Sequence, residues 1–553
     1  MRVSPVVVLS LLAANDVGAV DPFNWQPCPD NKKDPLLQCG YLTVPLDYAN
    51  NVAANHTIDI AVRRYRTKFP SPQGTIIINP GGPGNAGTPM ATASYVALTG
   101  GQYDVLGFDP RGVGLSHPIA CTKNGFTGAQ EAARLAAKSV PFDVDSSETS
   151  VSRFGAEFNV KVQRCHVYDG DLLPYLSTAL VARDMDAIRA ALGESVLHFL
   201  GYSYGSLLGA TYANLFPDRV GRMALDSVLD PTEYTGSPRW IPRTLVDIDQ
   251  VFEGFASTCE AAGPKQCPLA AIVANGTSVA SAVRNFLAEA SDTPLILPAV
   301  NDFALLSGAD IRTTLFGYMY SPSTWPQAAK YLAQLMQGKA MANPIVDACP
   351  KQPSTYRGVN MEFAMYAAND GDSVNFDDQD WTRLFRKAKD VSSLFGPIWV
   401  ASRLAMKYWT TRPVERYDGP WDASLRQPVL LLQNQVDPIT PLRGAEHLAD
   451  LMGKNAVLVT RDGYGHTTIN LPSNCMQSLL IAFFNDGTYP DANTNCAVDA
   501  QPFSAHAVEN ATAPAILTRD VGASSGKHNA GVDPIQAARE AAATLLSDTL
   551  AGF

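Results

Sequence analysis

Short runs of aliphatic and β-branched residues recur at 75–79, 103–109, 196–200, 222–226, 429–434 and 456–460, and helical patterns separate most of them. Continuous apolar runs of this length predict strands buried on both faces, and intervening helices predict a parallel sheet covered on each side. The expected fold class is therefore α/β, with a mostly parallel central sheet and helices on both faces. Between residues 178 and 192, Leu180, Met185, Ile188 and Leu192 fall on one helical face and Gly193 follows as a stop. That helix delivers the chain to the run at 196–200.

From about residue 230 to 420 the alternation fades and helical, aromatic segments take over, and the strand pattern resumes at Val429. The expected organisation is a core formed by 20–229 and 421–553, with a helical cap inserted at 230–420. An independent second domain is the alternative, but it would leave the core without its last strands. Near the end, Asp533-Pro534 offers an N-cap and first helical position, and Ile535, Ala538, Ala542, Leu545 and Leu546 form one apolar stripe. A terminal helix packing on the core is expected there.

Composition narrows the function classes. The chain of 553 residues is 46% hydrophobic and 17% charged, a globular balance, and its net charge of -11 without a basic cluster argues against nucleic acid as a partner. Arg2, an apolar segment at 6–14 and the small residues Val17-Gly18-Ala19 predict a secretory signal over residues 1–19. The apolar segment is shorter than the roughly 20 residues that span a bilayer, so no membrane association is expected. A secreted chain favours disulfides among its nine cysteines. Proximity suggests Cys28 with Cys39, Cys121 with Cys165, Cys259 with Cys267 and Cys475 with Cys496, leaving Cys349; spacing alone leaves the connectivity open. Sequons begin at Asn55, Asn275 and Asn510.

The candidate chemistry centres on Gly201-Tyr202-Ser203-Tyr204-Gly205, a G-x-S-x-G pentapeptide between an apolar run and a helix-like stretch. A sharp strand-to-helix turn would expose Ser203. A serine hydroxyl is a weak nucleophile until a base takes its proton and a third group orients that base. Asp437, in Asp437-Pro438-Ile439-Thr440, and His466, in Gly463-Tyr464-Gly465-His466, each follow an expected strand and come in the order serine, acid, histidine. The glycines around His466 suggest a flexible loop free to lean toward the serine. Acyl transfer also needs two oxyanion donors. The N–H of Tyr204 is one candidate, and the N–H of Gly82 in Asn79-Pro80-Gly81-Gly82-Pro83-Gly84 is the other. In Asp109-Pro110-Arg111-Gly112 the charged pair is expected to hold a nearby loop.

These motifs, with Cys39-Gly40-Tyr41 through Tyr48, Asp226-Ser227-Val228-Leu229-Asp230 and Tyr320-Ser321-Pro322, resemble the secreted tripeptidyl-aminopeptidase-like α/β-hydrolases, relatives of proline iminopeptidase. The resemblance covers most of the chain. It implies an α/β-hydrolase fold and a serine exopeptidase acting on free N-termini of oligopeptides, without metal or cofactor. It also implies carboxylates that hold the substrate's ammonium. Asn369-Asp370-Gly371-Asp372, with Asp377, Asp378 and Asp380, offers candidates, although a solvated loop is the preferred reading. An esterase, lactonase or amidase acting on a small acyl substrate with the same triad is the alternative, since this fold hosts many substrates.

Overall fold

The computed structural model of the chain describes residues 21–49, 56–121, 150–274, 276–298, 303–339, 361–372, 376–491 and 493–503. The expected signal segment and terminal helix, Cys349 and the three sequon asparagines lie outside the described residues.

Among the described residues twelve strands are formed, numbered in chain order: β1 Gln26–Pro27, β2 Leu37–Pro45, β3 Thr57–Tyr65, β4 Thr75–Asn79, β5 Asp104–Phe108, β6 Leu197–Tyr202, β7 Val220–Asp226, β8 Leu295–Pro298, β9 Phe303–Leu306, β10 Val429–Val436, β11 Ala456–Tyr464 and β12 Asn495–Cys496. Ten of them make one sheet in the order β1-β2-β3-β5-β4-β6-β7-β10-β11-β12. From β5 through β12 every neighbouring pair is parallel, whereas β1, β2 and β3 are antiparallel and join the sheet through β5. All six expected strands sit together in the parallel part. In β4 every residue is buried, and its three consecutive isoleucines suit a pleated strand covered on both faces.

Alternation along each strand divides the interior. Leu197, Phe199, Met223 and Leu225 join the cluster containing Met185 and Ile188 of the helix Thr178–Ala191 and Leu207 and Leu208 of the helix Tyr204–Leu215. Leu200, Tyr202, Ala224, Leu430 and Leu432 face the opposite way, against Tyr95, Met476, Leu480 and Phe483. The helix Thr178–Ala191 begins where expected because the Ser177 side chain accepts the Leu180 N–H.

Between β7 and β10 the chain is mainly helical, including Ile248–Ala262, Gly308–Met319, Trp325–Met336, Met361–Asp370 and Asp378–Val391, and it also carries the antiparallel hairpin β8–β9. The buried residues of these helices are continuous with the first cluster. Cys28–Cys39, Cys121–Cys165, Cys259–Cys267 and Cys475–Cys496 are disulfide-bonded.

Both charged residues of Asp109-Pro110-Arg111 hold loops, each through its own partners. Arg111 pairs with Asp184 on the helix Thr178–Ala191. Its guanidinium is fully buried, and it also donates to the Leu46 and Tyr175 carbonyls. Asp109 instead accepts the N–H groups of Thr88 and Leu115. A buried guanidinium needs a full anionic partner, and Asp109 is committed to tightening its own turn.

Candidate active site

Ser203 is the single residue between β6 and the helix Tyr204–Leu215, with φ 56° and ψ -121°. A non-glycine residue in that region is strained, so its surroundings must hold it there. Its N–H donates to the Asp226 carbonyl at 2.9 Å, and its own carbonyl accepts from Ser206 N at 2.8 Å and Ser206 Oγ at 2.5 Å. The flanking glycines are steric requirements. A Cβ on Gly201 would lie 2.3 Å from the Gly205 carbonyl oxygen, and one on Gly205 would lie 2.8 Å from that of Asn79. Ser203 itself remains partly exposed.

Asp437 and His466 follow β10 and β11 and meet directly, with His466 Nδ1 3.0 Å from each carboxylate oxygen. Asp437 is fully buried. Its carboxylate also accepts from Ser227 Oγ at 2.8 Å and from the N–H groups of Ile439 and Thr440 at 3.0 and 2.9 Å. Burial alone would raise this carboxyl, but His466 and the two amides outweigh it and hold it below the usual carboxylate range. Because an ionised carboxylate only accepts, Nδ1 carries a proton toward Asp437, so in the neutral imidazole Nε2 is the nitrogen that keeps a lone pair. Thr440 Oγ1 lies 3.2 Å from the same Nδ1.

The histidine loop is pinned, contrary to the flexibility its glycines suggested. Asn434 Nδ2 donates to the Gly465 and Thr467 carbonyls, and His466 N–H donates to the Tyr320 carbonyl at 2.7 Å. Thr467 N–H donates to Ser227 Oγ at 2.7 Å, while Thr468 donates its N–H and hydroxyl to the Asp226 carboxylate. Burial pushes the Asp226 carboxyl up to about 6 against those donors. Ser227, Thr440 and Asp226 were absent from the sequence-derived site. Serines and threonines carry no positional signature, and Ser227 meets Asp437 across 210 residues of chain.

Ser203 stands at the same edge of the sheet, since Tyr202 is in register with Asp226 and Asp226 with Leu432 of β10. Among the described residues the His466 ring bonds Asp437 and Thr440 and shares no hydrogen bond with Ser203. Such contacts commonly tighten only when substrate is bound.

The Gly-rich turn after β4 abuts the elbow. A Cβ on Gly81 would lie 2.4 Å from the Tyr202 carbonyl oxygen and 3.1 Å from Tyr204 N. Gly81 donates its own N–H to Asn79 Oδ1 at 2.9 Å, so that donor is consumed within the turn and Gly82 is the next along it. Tyr204 occupies the first helical turn, where backbone N–H groups lack intrahelical acceptors.

The side chain of Tyr204 points into the core and ends on Thr178, Oη to Oγ1 being 2.5 Å. Thr178 donates its hydroxyl and N–H to Asp370 at 2.6 and 2.9 Å. The preferred reading of this acidic stretch as a solvated loop therefore fails for Asn369 and Asp370, which are buried. They end the helix Met361–Asp370 and lock it to the segment before Thr178, Asn369 Nδ2 donating to the Leu173 and Leu176 carbonyls. Burial pushes the Asp370 carboxyl up to about 7. A cavity of about 230 Å³ opens beside this edge, with Tyr234, Trp240, Thr244, Ile439 and Thr440 in its wall.

Comparisons with known proteins agree with this architecture. Residues 74–264 match the α/β-hydrolase fold family, and residues 392–496 match the family described as TAP-like protein. The chain is 31% identical over 506 residues to a tripeptidyl aminopeptidase of Streptomyces coelicolor, covering 87% of each chain. It is 29% identical to the serine protease Hip1 of Mycobacterium tuberculosis, covering 86% of this chain and 91% of that one. A Mycobacterium tuberculosis protein named carboxylesterase B is 27% identical, covering 86% of this chain and 90% of that one.

Two outcomes are expected. Ser227→Ala leaves Asp437 and the Thr467 N–H each short of a partner, and kcat/KM should fall about ten- to a hundredfold with the circular dichroism spectrum unchanged. Wild-type kinetics in that variant would show that Ser227 does not support the pair. Asp370 binds its proton more tightly when folded, so its contribution to stability is complete below 3.8 and is lost as pH rises through about 7. Asp370→Asn should flatten unfolding free energy against pH across that window in urea titrations, and an unaltered slope would contradict the assignment.

Proposed function

The chain belongs to the tripeptidyl-aminopeptidase-like α/β-hydrolases, and on that premise we propose an exported serine peptidase that removes short peptides or residues from free N-termini of oligopeptides. It is a serine hydrolase. In the proposed mechanism Ser203 Oγ attacks the scissile carbonyl as His466 Nε2 takes its proton. Asp437 fixes the imidazole through Nδ1 and stabilises the imidazolium. The N–H groups of Tyr204 and Gly82 receive the oxyanion. The imidazolium then protonates the departing amine, and water, deprotonated by the same histidine, releases the acyl group.

The observation that carries the reading is the 3.0 Å pairing of a buried carboxylate with His466, on the sheet edge where Ser203 is held in a strained turn. The reading also takes 20–229 and 421–553 as the core and 230–420 as a cap that selects the substrate. Export is supported by the four disulfides and by the signal-like residues 1–19. The relative named carboxylesterase B keeps ester hydrolysis as a second reading.

Purified enzyme offered tripeptidyl p-nitroanilides with free and N-acetylated termini, beside short p-nitrophenyl esters, decides between them. The proposal expects preference for free termini, with Ser203→Ala lowering kcat about a millionfold. Equal cleavage of blocked peptides, or turnover of esters alone, would overturn the exopeptidase reading.

A further inference from the structure

Among the described residues, Arg403 is buried without the carboxylate partner a buried arginine normally has. It lies in the turn between the helices Gly396–Ala401 and Ala405–Tyr408 and is only 5% exposed. Its guanidinium is layered between Phe363 and Trp399, at 3.9 and 3.6 Å from their ring centroids, and one terminal nitrogen donates to Ser402 Oγ at 2.5 Å. Among the described residues no carboxylate pairs with it, and its Nε has no acceptor. Stacking offsets part of the lost hydration but leaves the Nε–H of the fork without an acceptor among the described residues. Burial lowers the guanidinium to about 10, which leaves it charged at neutral pH.

Its surroundings lead to the reacting centre by two routes. The side chains of Tyr320 and Tyr234 are its electrostatic neighbours. Tyr320 accepts the His466 N–H and sets its ring edge-on to the imidazole, 5.4 Å between centroids. Tyr234 packs 6.1 Å from the ring of Tyr204, the residue after the serine, and its Oη is also buried without a hydrogen-bond partner among the described residues. Tyr234 lines the cavity that reaches Thr440, and so does Thr244, which accepts from Trp399 Nε1 at 3.0 Å. An unsatisfied cation and an unsatisfied hydroxyl thus lie one residue away from the histidine and from the elbow.

A carboxylate meets both needs, because its two oxygens accept from the arginine fork and from a tyrosine O–H. We propose that Arg403, with Tyr234, is a specificity determinant that binds a carboxylate of the substrate close to the scissile bond. The carboxylate comes either from an acidic side chain or from the free C-terminus of a short peptide. This assignment rests on the hydrolytic centre proposed above.

The test compares pairs of substrates on the same protein sample. Free-amine tripeptidyl p-nitroanilides carry Glu or Gln at each position in turn, and tetrapeptides end in a free carboxylate or an amide. The first pairs detect an acidic side chain, the second a terminal carboxylate. Wild-type enzyme should favour one carboxylate member by about tenfold or more in kcat/KM, mainly through KM. Arg403→Met should bring that ratio close to one, Arg403→Lys should keep part of it, and Tyr234→Phe should reduce it. Because each ratio is internal to one variant, partial loss of folded protein leaves it unaffected. A wild-type ratio of one for every pair, or an undiminished ratio in Arg403→Met, overturns the proposal. If peptides are not cut but esters are, the peptidase reading fails. The same ratio measured with p-nitrophenyl glutarate against p-nitrophenyl butyrate then decides the role of Arg403 alone.

Discussion

A carboxylate removed entirely from water must be met by donors on all sides, and Asp437 satisfies that demand only if three separate strand ends converge. Its partners come from the loop after β7 through Ser227, from its own turn after β10 through the Ile439 and Thr440 amides, and from the loop after β11 through His466. Loss of any one would leave a buried charge or hydroxyl short of a hydrogen bond, at about 1 to 3 kcal/mol for a neutral group and more for a charged one. The same bonds that satisfy the charge also fix the tautomer and direction of the imidazole. Stability of the sheet edge and orientation of the imidazole are one constraint.

The elbow depends on that edge from the other side. Asp226 takes the Ser203 N–H on its backbone carbonyl and the Thr468 donors on its carboxylate, so a single residue spans the serine turn and the histidine loop. Behind the elbow, Tyr204 extends through Thr178 to Asp370 on a helix from between β7 and β10. Strain at Ser203 is therefore carried by a network that reaches both the sheet and the helices over it.

Much of this architecture was legible in the sequence, for reasons that also explain what was not. Six of the seven parallel strands announce themselves because strands largely covered by helices carry unbroken aliphatic runs. β2 and β3 mix exposed and buried positions and give no such run, β1 and β12 have two residues each, and the hairpin β8–β9 is surrounded by helical sequence. Ser203, Asp437 and His466 stood out because glycine and proline mark the sharp turns that present them. Ser227 and Thr440 were invisible, since a hydroxyl acquires its role only from partners distant in sequence. Asp370 was misread because its local neighbours are polar, while its burial is imposed by Thr178, 192 residues away.

The central claim is that this network makes one serine a nucleophile. Treating the folded protein with a fluorophosphonate and mapping the adduct by intact mass and peptide sequencing tests it most directly. One equivalent of label on Ser203, absent after unfolding in urea and absent in His466→Ala, is the predicted result; no adduct on the folded protein, or label on a different serine, would contradict it.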